Sequence, residues 1–354
     1  MVRAALAENL ASRGEIGAAV VAYVEGRPVV DLWAGYADQG QTQPWREDTI
    51  VNVFSVGKAF AAICLLRLVD TGLVALDDAV SRHWPGFAAH TTVTEVLSHR
   101  SGLAAIARPL PEDAVYDWDV VAEALAAQEP WWPPGTAHGY HVHTFGFLVG
   151  EIVRRVTGVG VESVLEREVA GPLGAEVSFG LARAKRARCA EYDFGDVVAE
   201  MPPAPEPPWD LNTAAYVNPP GASGLGRVNT GAWMDASIPS ANAHATARGI
   251  ARIYAALPEL LSRETCALAT AEHAAGTDLV LGRPTRFGLG FQLSQPERPL
   301  GGARGFGHFG AGGSVGFADP DAGVAFAYVM NRGGPRWQSP RSRALIDALY
   351  AALA

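Results

Sequence analysis

The stretch Phe54-Ser55-Val56-Gly57-Lys58 opens an apolar, helix-forming run that continues to Asp70, and Gly72 stands where a helix C-cap belongs. Residues three apart on a helix share a face, so the Ser55 hydroxyl and the Lys58 amine can meet. A serine at a helix start also lies beside free backbone N–H groups, which favour an alkoxide or an oxyanion. The plainer alternative is a helix-capping serine next to a surface lysine.

Lysine is rare in this chain of 354 residues, because only Lys58 and Lys185 occur among 28 basic residues. An arginine cannot act as a base, whereas a lysine can if burial or a neighbouring group lowers its pKa. The sequence should therefore supply a partner for Lys58. Tyr140, which follows the rigid Trp-Trp-Pro-Pro-Gly loop at 131–135, is the candidate, although such a tyrosine on its own is more often a core aromatic.

Composition narrows the classes of protein to consider. Hydrophobic residues make up 49% and charged residues 18%, so the chain can bury a large core. Its net charge of −9 provides no attraction to nucleic acid or anionic membranes, and three distant cysteines indicate neither a disulfide framework nor a zinc site. No apolar run reaches the ~18 residues of a membrane span, and the N-terminus lacks a signal-like apolar segment. We expect a cytoplasmic protein of undetermined oligomeric state, without metal or cofactor.

Secondary-structure signals place strands near both ends and helices between them. An N-terminal helix is predicted over 1–13, then a hairpin of strands 18–24 and 29–33, and later strands over 287–293, 314–319 and 323–330. Further helices are predicted over 144–156, 161–168, 245–257 and 340–353, while the proline-rich segment 201–231 lacks periodicity and suggests a binding loop or lid. This order predicts an α/β (α+β) fold, with a sheet domain from 1–60 and 245–354 and a mostly helical domain over 61–244.

Four motifs in order carry a resemblance to a known family. They are Phe54 to Lys58, Leu97 to Leu103 (LSHRSGL), Pro134-Gly135-Thr136 with Tyr140, and Gly307-His308-Phe309-Gly310. Over roughly residues 15 to 350, the chain resembles class C β-lactamase-like serine hydrolases, a superfamily that includes penicillin-binding proteins and family VIII carboxylesterases. The resemblance implies an antiparallel sheet flanked by the terminal helices, with an inserted helical domain and the site in the groove between them.

The same resemblance implies roles for individual residues. Ser55 would be the acylated nucleophile, Lys58 its activating amine and Tyr140 the general base or proton relay. His308 and Gly310 would lie on the strand that lines the site. The backbone N–H groups of Ser55 and Ala311 would form the oxyanion hole.

Two departures from the family pattern favour the esterase branch over the β-lactamase branch. Val142 stands where relatives that cleave β-lactams carry an asparagine, and His308 stands where they carry a lysine. We therefore expect a serine carboxylesterase that acts on a small-molecule ester or acyl substrate. An acyltransferase of secondary metabolism, a D-amino acid peptidase, a weak β-lactamase and a non-catalytic binding protein remain alternatives. The expected pocket-lining residues are His141, Trp132, Trp209 and Tyr216, which suggest apolar or aromatic acyl groups.

Two other patterns point to chemistry that the surrounding sequence does not support. Ser314 lies in a G-x-S-x-G sequence, but a nucleophile elbow needs a following helix and a later histidine, and here a hairpin is predicted with no histidine beyond His308. The histidines at 138, 141 and 143 have no cysteine or carboxylate near them until Glu151, so a pocket-lining histidine is the better interpretation than a metal site.

Overall fold

The computed structural model describes residues 1–195, 205–334 and 339–354. The first four residues of the predicted loop 201–231, including Pro202 and Pro203, lie outside the described residues. None of the helices in the described part of the chain is long and apolar enough to cross a membrane.

An antiparallel sheet of eight strands forms one layer of the molecule. In sheet order its strands are β2 (Arg27–Gly35), β1 (Gly17–Val24), β11 (Val324–Met330), β10 (Val315–Asp319), β9 (Phe306–Phe309), β8 (Gln292–Leu293), β7 (Pro284–Phe287) and β6 (Ala274–Thr277). Strand β11 is apolar and buried along its whole length, as expected for a central strand covered on both faces. The edge strand β2 is instead largely exposed.

The thirteen α-helices of the described chain lie between and around these strands. They are α1 (Val2–Ser12), α2 (Gly57–Asp70), α3 (Val80–His83), α4 (Val93–Leu97), α5 (Trp118–Ala126), α6 (Thr144–Thr157), α7 (Val161–Val164), α8 (Leu211–Val217), α9 (Gly231–Asp235), α10 (Ala247–Ala255), α11 (Leu257–Leu260), α12 (Arg263–Thr270) and α13 (Pro340–Leu353). The terminal helices α1 and α13 pack against each other, and α10 packs on β1, β10 and β11. The predicted mixed fold, with an antiparallel sheet and helices, is confirmed.

Helix α2 lies at the centre of the helical part, where it packs against α6. Only Arg67, Val69 and Asp70 of its residues are not fully buried, because the helix is apolar on nearly all sides. A small sheet lies beside it, with β3 (Val51–Phe54) and β4 (Val177–Phe179) on either side of β5 (Ala243–Ala245). The large sheet draws its strands from within 1–60 and 245–354, but this small sheet takes strands from both sides of the predicted boundary. The two-domain division stays a prediction.

Three element predictions were wrong in detail. The run 287–293 is not one strand, because β7 ends at Phe287 and β8 begins at Gln292. Gly290 between them adopts a φ of 81°, and a Cβ there would lie 2.1 Å from the Ala62 Cβ. The segment 201–231 contains helix α8, and α10 begins two residues later than predicted because Ala245 belongs to β5.

Candidate active site

Ser55 and Lys58 meet at the junction between β3 and α2. The Lys58 Nζ lies 3.0 Å from the Ser55 Oγ, and it donates to the Ser240 carbonyl at 2.9 Å. The Ser55 Oγ lies 3.3 Å from the same carbonyl. The Lys58 side chain is completely buried, so its contacts with Ser55 and Ser240 are shielded from solvent.

The backbone around Ser55 is held in a tight and partly strained conformation. Phe54 has a φ of 50°, a left-handed conformation that costs a non-glycine residue roughly 1–2 kcal/mol. Its ring packs edge-on against Tyr192, with the ring centroids 4.9 Å apart. At the start of α2, a Cβ on Gly57 would lie 2.6 Å from the Ala243 Cβ, so a glycine lets the helix approach β5. These contacts hold Ser55 in the tight turn just before the first residue of α2.

Burial decides the protonation state of Lys58. Desolvation lowers the pKa of this amine well below its ordinary value of 10.5, which favours the neutral form. A neutral amine has a lone pair that can accept the Ser55 hydroxyl proton, while its N–H bonds still donate to Ser240. Lys185, the other lysine, is part-exposed and lies 3.7 Å from Glu176, so it is an ordinary surface cation.

Tyr140 completes the group. Its side chain is buried, the Lys58 Nζ lies 4.9 Å from the ring centroid, and a hydrogen bond joins its hydroxyl to Ser55. Burial raises the pKa of the phenol above its ordinary value, so the hydroxyl keeps its proton at neutral pH. The Asp278 carboxylate accepts from the Tyr140 N–H with both oxygens at 3.0 Å, which anchors the loop that carries the ring.

The end of β9 lies beside Tyr140. His308 is buried, with Nε2 3.5 Å from the Tyr140 hydroxyl and Nδ1 2.7 Å from the Phe309 carbonyl. Burial and the nearby Lys58 lower the pKa of His308 to about 3, so the imidazole is neutral. A Cβ on Gly310 would lie 2.3 Å from the Val53 carbonyl oxygen, which shows how closely this strand end approaches β3.

A cavity of about 550 Å³ opens onto these groups. Its lining is mostly apolar and aromatic, and it includes Phe54, Ser55, Tyr140, Val142, His143, Tyr192, Phe194, Tyr216, Ser223, Leu225, Ser240, Phe309, Ala311 and Arg332. This volume lies in the range of small-molecule sites, and Ser55 is part of the lining that a ligand would contact.

The four expected pocket residues divide between cavity and core. Tyr216 lines the cavity, whereas His141, Trp132 and Trp209 are not part of its lining. His141 is fully buried, with Nε2 2.7 Å from the Ser101 hydroxyl and Nδ1 2.7 Å from the Gly139 carbonyl. The two tryptophans pack in a separate apolar cluster with α8. The histidine in the cavity lining is His143, one of the three clustered histidines for which the sequence favours a pocket-lining role over a metal site.

The structure gives other surroundings to the two remaining patterns, the G-x-S-x-G serine and the clustered histidines, than a nucleophile elbow or a metal site would need. Ser314 is completely buried, lies just before strand β10 rather than a helix, and is not part of the cavity lining. The three clustered histidines face different partners, since His138 bonds to Thr285, His141 to Ser101, and His143 faces the cavity. The described residues hold no group of three or more metal-ligating side chains.

Sequence reasoning missed two residues that position the site. Ser240 contributes a backbone carbonyl, which any residue could supply, so no sequence signal identifies it. Asp278 accepts hydrogen bonds from the N–H groups of Tyr140, Val280 and Leu281 and from the Thr285 hydroxyl. The available sequence signal was a single aspartate in the run 274–282 of otherwise uncharged, small and apolar residues.

The fold and the serine–lysine–tyrosine group define a serine hydrolase of the β-lactamase fold. The chain belongs to the beta-lactamase family, whose family model matches residues 2–351. It is 33% identical over 348 residues to the esterase/beta-lactamase LipL of Mycobacterium tuberculosis, covering 89% of this chain and 77% of that protein. Its structure is similar to a family VIII carboxylesterase (TM-score 0.89, 36% identity) and to a penicillin-binding protein homologue from Caulobacter crescentus (TM-score 0.89, 38% identity). Each of these two alignments covers 99% of this chain and 96% of the other.

Proposed function

We propose that this protein is a carboxylesterase that works through an acyl-enzyme on Ser55. The observation that carries the proposal is the 3.0 Å contact between the Ser55 hydroxyl and a completely buried Lys58 amine. A serine hydroxyl is a weak nucleophile until an adjacent base takes its proton. The relatives named as esterases, and the open cavity at Ser55, support the same reaction.

The first half-reaction uses all three members of the group. The Ser55 Oγ bonds to the ester carbonyl carbon while its proton passes to Lys58, and the N–H groups of Ser55 and Ala311 stabilise the oxyanion. As the carbonyl re-forms, the bond to the leaving oxygen breaks and Tyr140 gives that oxygen a proton. The Lys58 ammonium beneath the ring stabilises the phenolate and returns the proton.

The second half-reaction repeats these roles with water. Lys58 accepts a proton from water as the water oxygen bonds to the acyl carbon. The bond between that carbon and the Ser55 oxygen then breaks, and the Lys58 ammonium returns the proton to the Ser55 oxygen. The products are a carboxylic acid and the free enzyme, so atoms and charge balance without a cofactor.

The chemistry of the cavity wall supports esters over β-lactams as substrates. A β-lactam carboxylate needs a positive charge, and His308, buried behind the cavity lining beside Tyr140, is a neutral imidazole. Val142, which lines the cavity, has no amide that could bind a lactam side chain. Both features leave an ester carbonyl as the polar group best suited to this site.

Steady-state hydrolysis of p-nitrophenyl butyrate tests the proposal. Ser55→Ala should lower kcat/KM at least about 1,000-fold, because the covalent route is lost. Hydrolysis that survives Ser55→Ala would overturn it. Adding a primary alcohol then tests the acyltransferase alternative: an ester product that forms faster than the free acid would favour that alternative over hydrolysis.

A further inference from the structure

His143, the residue just before α6, presents an imidazole to the cavity that contains Ser55. The residue is only 4% exposed, and the one hydrogen bond to its ring among the described residues is a weak contact with the Tyr216 backbone. This contact leaves at least one of the two ring nitrogens without a partner among the described residues. A polar group left in this way costs about 1–3 kcal/mol, and a ligand in the cavity that bonds to the ring would remove this cost.

The surroundings of His143 show which kind of partner it lacks. The side chains that share its cavity are mostly apolar or aromatic, among them Val142, Leu225 and Phe194. A ligand that fills this cavity therefore places mostly apolar surface against its lining. The His143 imidazole is a polar group within that apolar lining. A neutral imidazole offers one N–H donor and one nitrogen acceptor.

The charges in and near the cavity also limit which ligand group can bind to His143. Burial and the Lys58 amine lower the pKa of His143 to about 3, so the ring is uncharged at neutral pH. Arg332 is the charged side chain in the described lining, and its guanidinium lies 3.6 Å from the Asp193 carboxylate. An ionised substituent would lose its hydration here without gaining a free counter-charge.

We propose that His143 is a specificity-determining residue that hydrogen-bonds an uncharged amide or hydroxyl carried by an otherwise apolar or aromatic ester substrate. This inference rests on the proposed esterase function, because it assigns a substrate class to the Ser55 site. It adds one polar contact to a pocket that would otherwise select only by shape and apolar surface.

Matched ester pairs test the proposal in both halves of the substrate. The acyl pair is ethyl 3-phenylpropanoate and ethyl N-acetylphenylalaninate, and the alcohol pair is 3-phenylpropyl acetate and 2-acetamido-3-phenylpropyl acetate. Hydrolysis is followed by acid release in the wild type, His143→Phe and His143→Asn. In the pair whose amide lies in the half of the substrate that reaches His143, His143→Phe should reduce the preference for the amide-bearing ester about tenfold. This is the effect of one lost neutral hydrogen bond. The intrinsic reactivity of each ester cancels in this comparison.

Three readouts separate recognition from a structural role. His143→Asn, which keeps a donor and an acceptor, should retain most of the preference. The wild-type preference should stay constant from pH 6 to pH 8, because a ring with a pKa of about 3 does not titrate there. If His143→Phe does not fold, His143→Leu replaces it. Equal losses for both members of each pair, without rescue by asparagine, would overturn the proposal.

The failure of this inference is distinguishable from failure of the proposed function. If the wild type forms a Ser55-dependent acyl adduct and hydrolyses both esters, but replacement of His143 leaves the ratio of the two rates unchanged, only the His143 inference is overturned. If the wild type hydrolyses none of the esters and forms no adduct, both are overturned.

Discussion

Replacing Lys58 with methionine should inactivate the enzyme and, at the same time, stabilise its fold. Methionine is close to lysine in length and apolar, so it can fill the buried site without the amine. Loss of the base should lower kcat/KM for p-nitrophenyl butyrate by about 100-fold to 10,000-fold. The gain in stability follows from the proton that the wild-type lysine must give up on folding.

The size of that gain has a physical bound. In the unfolded chain, Lys58 holds its proton up to its ordinary pKa of 10.5, whereas burial favours the neutral amine in the folded protein. Each pH unit over which only the unfolded state is protonated costs the folded state about 1.4 kcal/mol. The cost at pH 7 is therefore at most about 5 kcal/mol, and the lost hydrogen bond to the Ser240 carbonyl offsets about 1–3 kcal/mol. We expect a net gain of about 1–4 kcal/mol.

The direction in which stability changes with pH gives a second test of the neutral Lys58 amine. The folded-state pKa of Lys58 is lowered, so the unfolded state binds more protons and wild-type stability rises with pH up to about 10.5. The methionine variant has no amine at position 58, so it lacks this pH dependence of stability. Its advantage over the wild type should shrink between pH 7 and pH 9.5, by as much as about 3 kcal/mol, while other titrating groups cancel.

Urea unfolding at both pH values measures this difference. Lys185→Met, which replaces the chain's other lysine at a part-exposed ion pair, is the matched control and should change stability by less than about 1 kcal/mol at either pH. A stability difference between Lys58→Met and the wild type that does not vary with pH would refute the neutral-amine reasoning. Retention of more than a tenth of the esterase activity by Lys58→Met would refute Lys58 as the base.

Three further predictions concern residues outside the proposed chemistry. Ser314→Ala should retain esterase activity, because this serine is buried away from the cavity; a loss comparable to that of a nucleophile variant would contradict the site assignment. Arg341→Met should lower the free energy of unfolding at pH 9 by about 3 kcal/mol or more in a urea titration, because it leaves the buried Glu15 carboxyl, whose pKa burial already raises to about 7, without the guanidinium 2.8 Å away. Asp347→Asn, at an exposed ion pair, should cost less than about 1 kcal/mol, and equal losses for both variants would contradict this account. Tyr254→Phe removes a buried hydroxyl that has no hydrogen-bond partner in the described chain, so the midpoint of urea unfolding should rise by the equivalent of about 1 kcal/mol; a fall would show that the hydroxyl is satisfied.

Local sequence signals predicted the elements whose structure depends on near neighbours. The hairpin predicted over 18–24 and 29–33 is observed as β1 and β2, and the helix predicted over 144–156 ends one residue later than expected. The Ser55 to Lys58 spacing is also local, since one helical turn is enough to bring the two groups together.

Features that depend on distant contacts could not be predicted in this way. The break at Gly290 exists because Ala62, from helix α2, packs against it, and no local pattern records that neighbour. His141 bonds to Ser101, 40 residues away in sequence, whereas His143 lines the cavity, and no local pattern distinguishes the two histidines. Ser240 is 185 residues from Ser55 in sequence and acts through its backbone, so only the folded chain reveals it.

Mass spectrometry of the intact protein after rapid quenching gives the most direct test of a nucleophilic Ser55. The wild type is mixed with a p-nitrophenyl ester and, separately, with a fluorophosphonate, and the modified peptide is then located. We expect a stoichiometric acyl or phosphonyl adduct on the peptide containing Ser55 and none in Ser55→Ala. An unmodified wild-type protein, or an adduct on any other residue, would contradict the account.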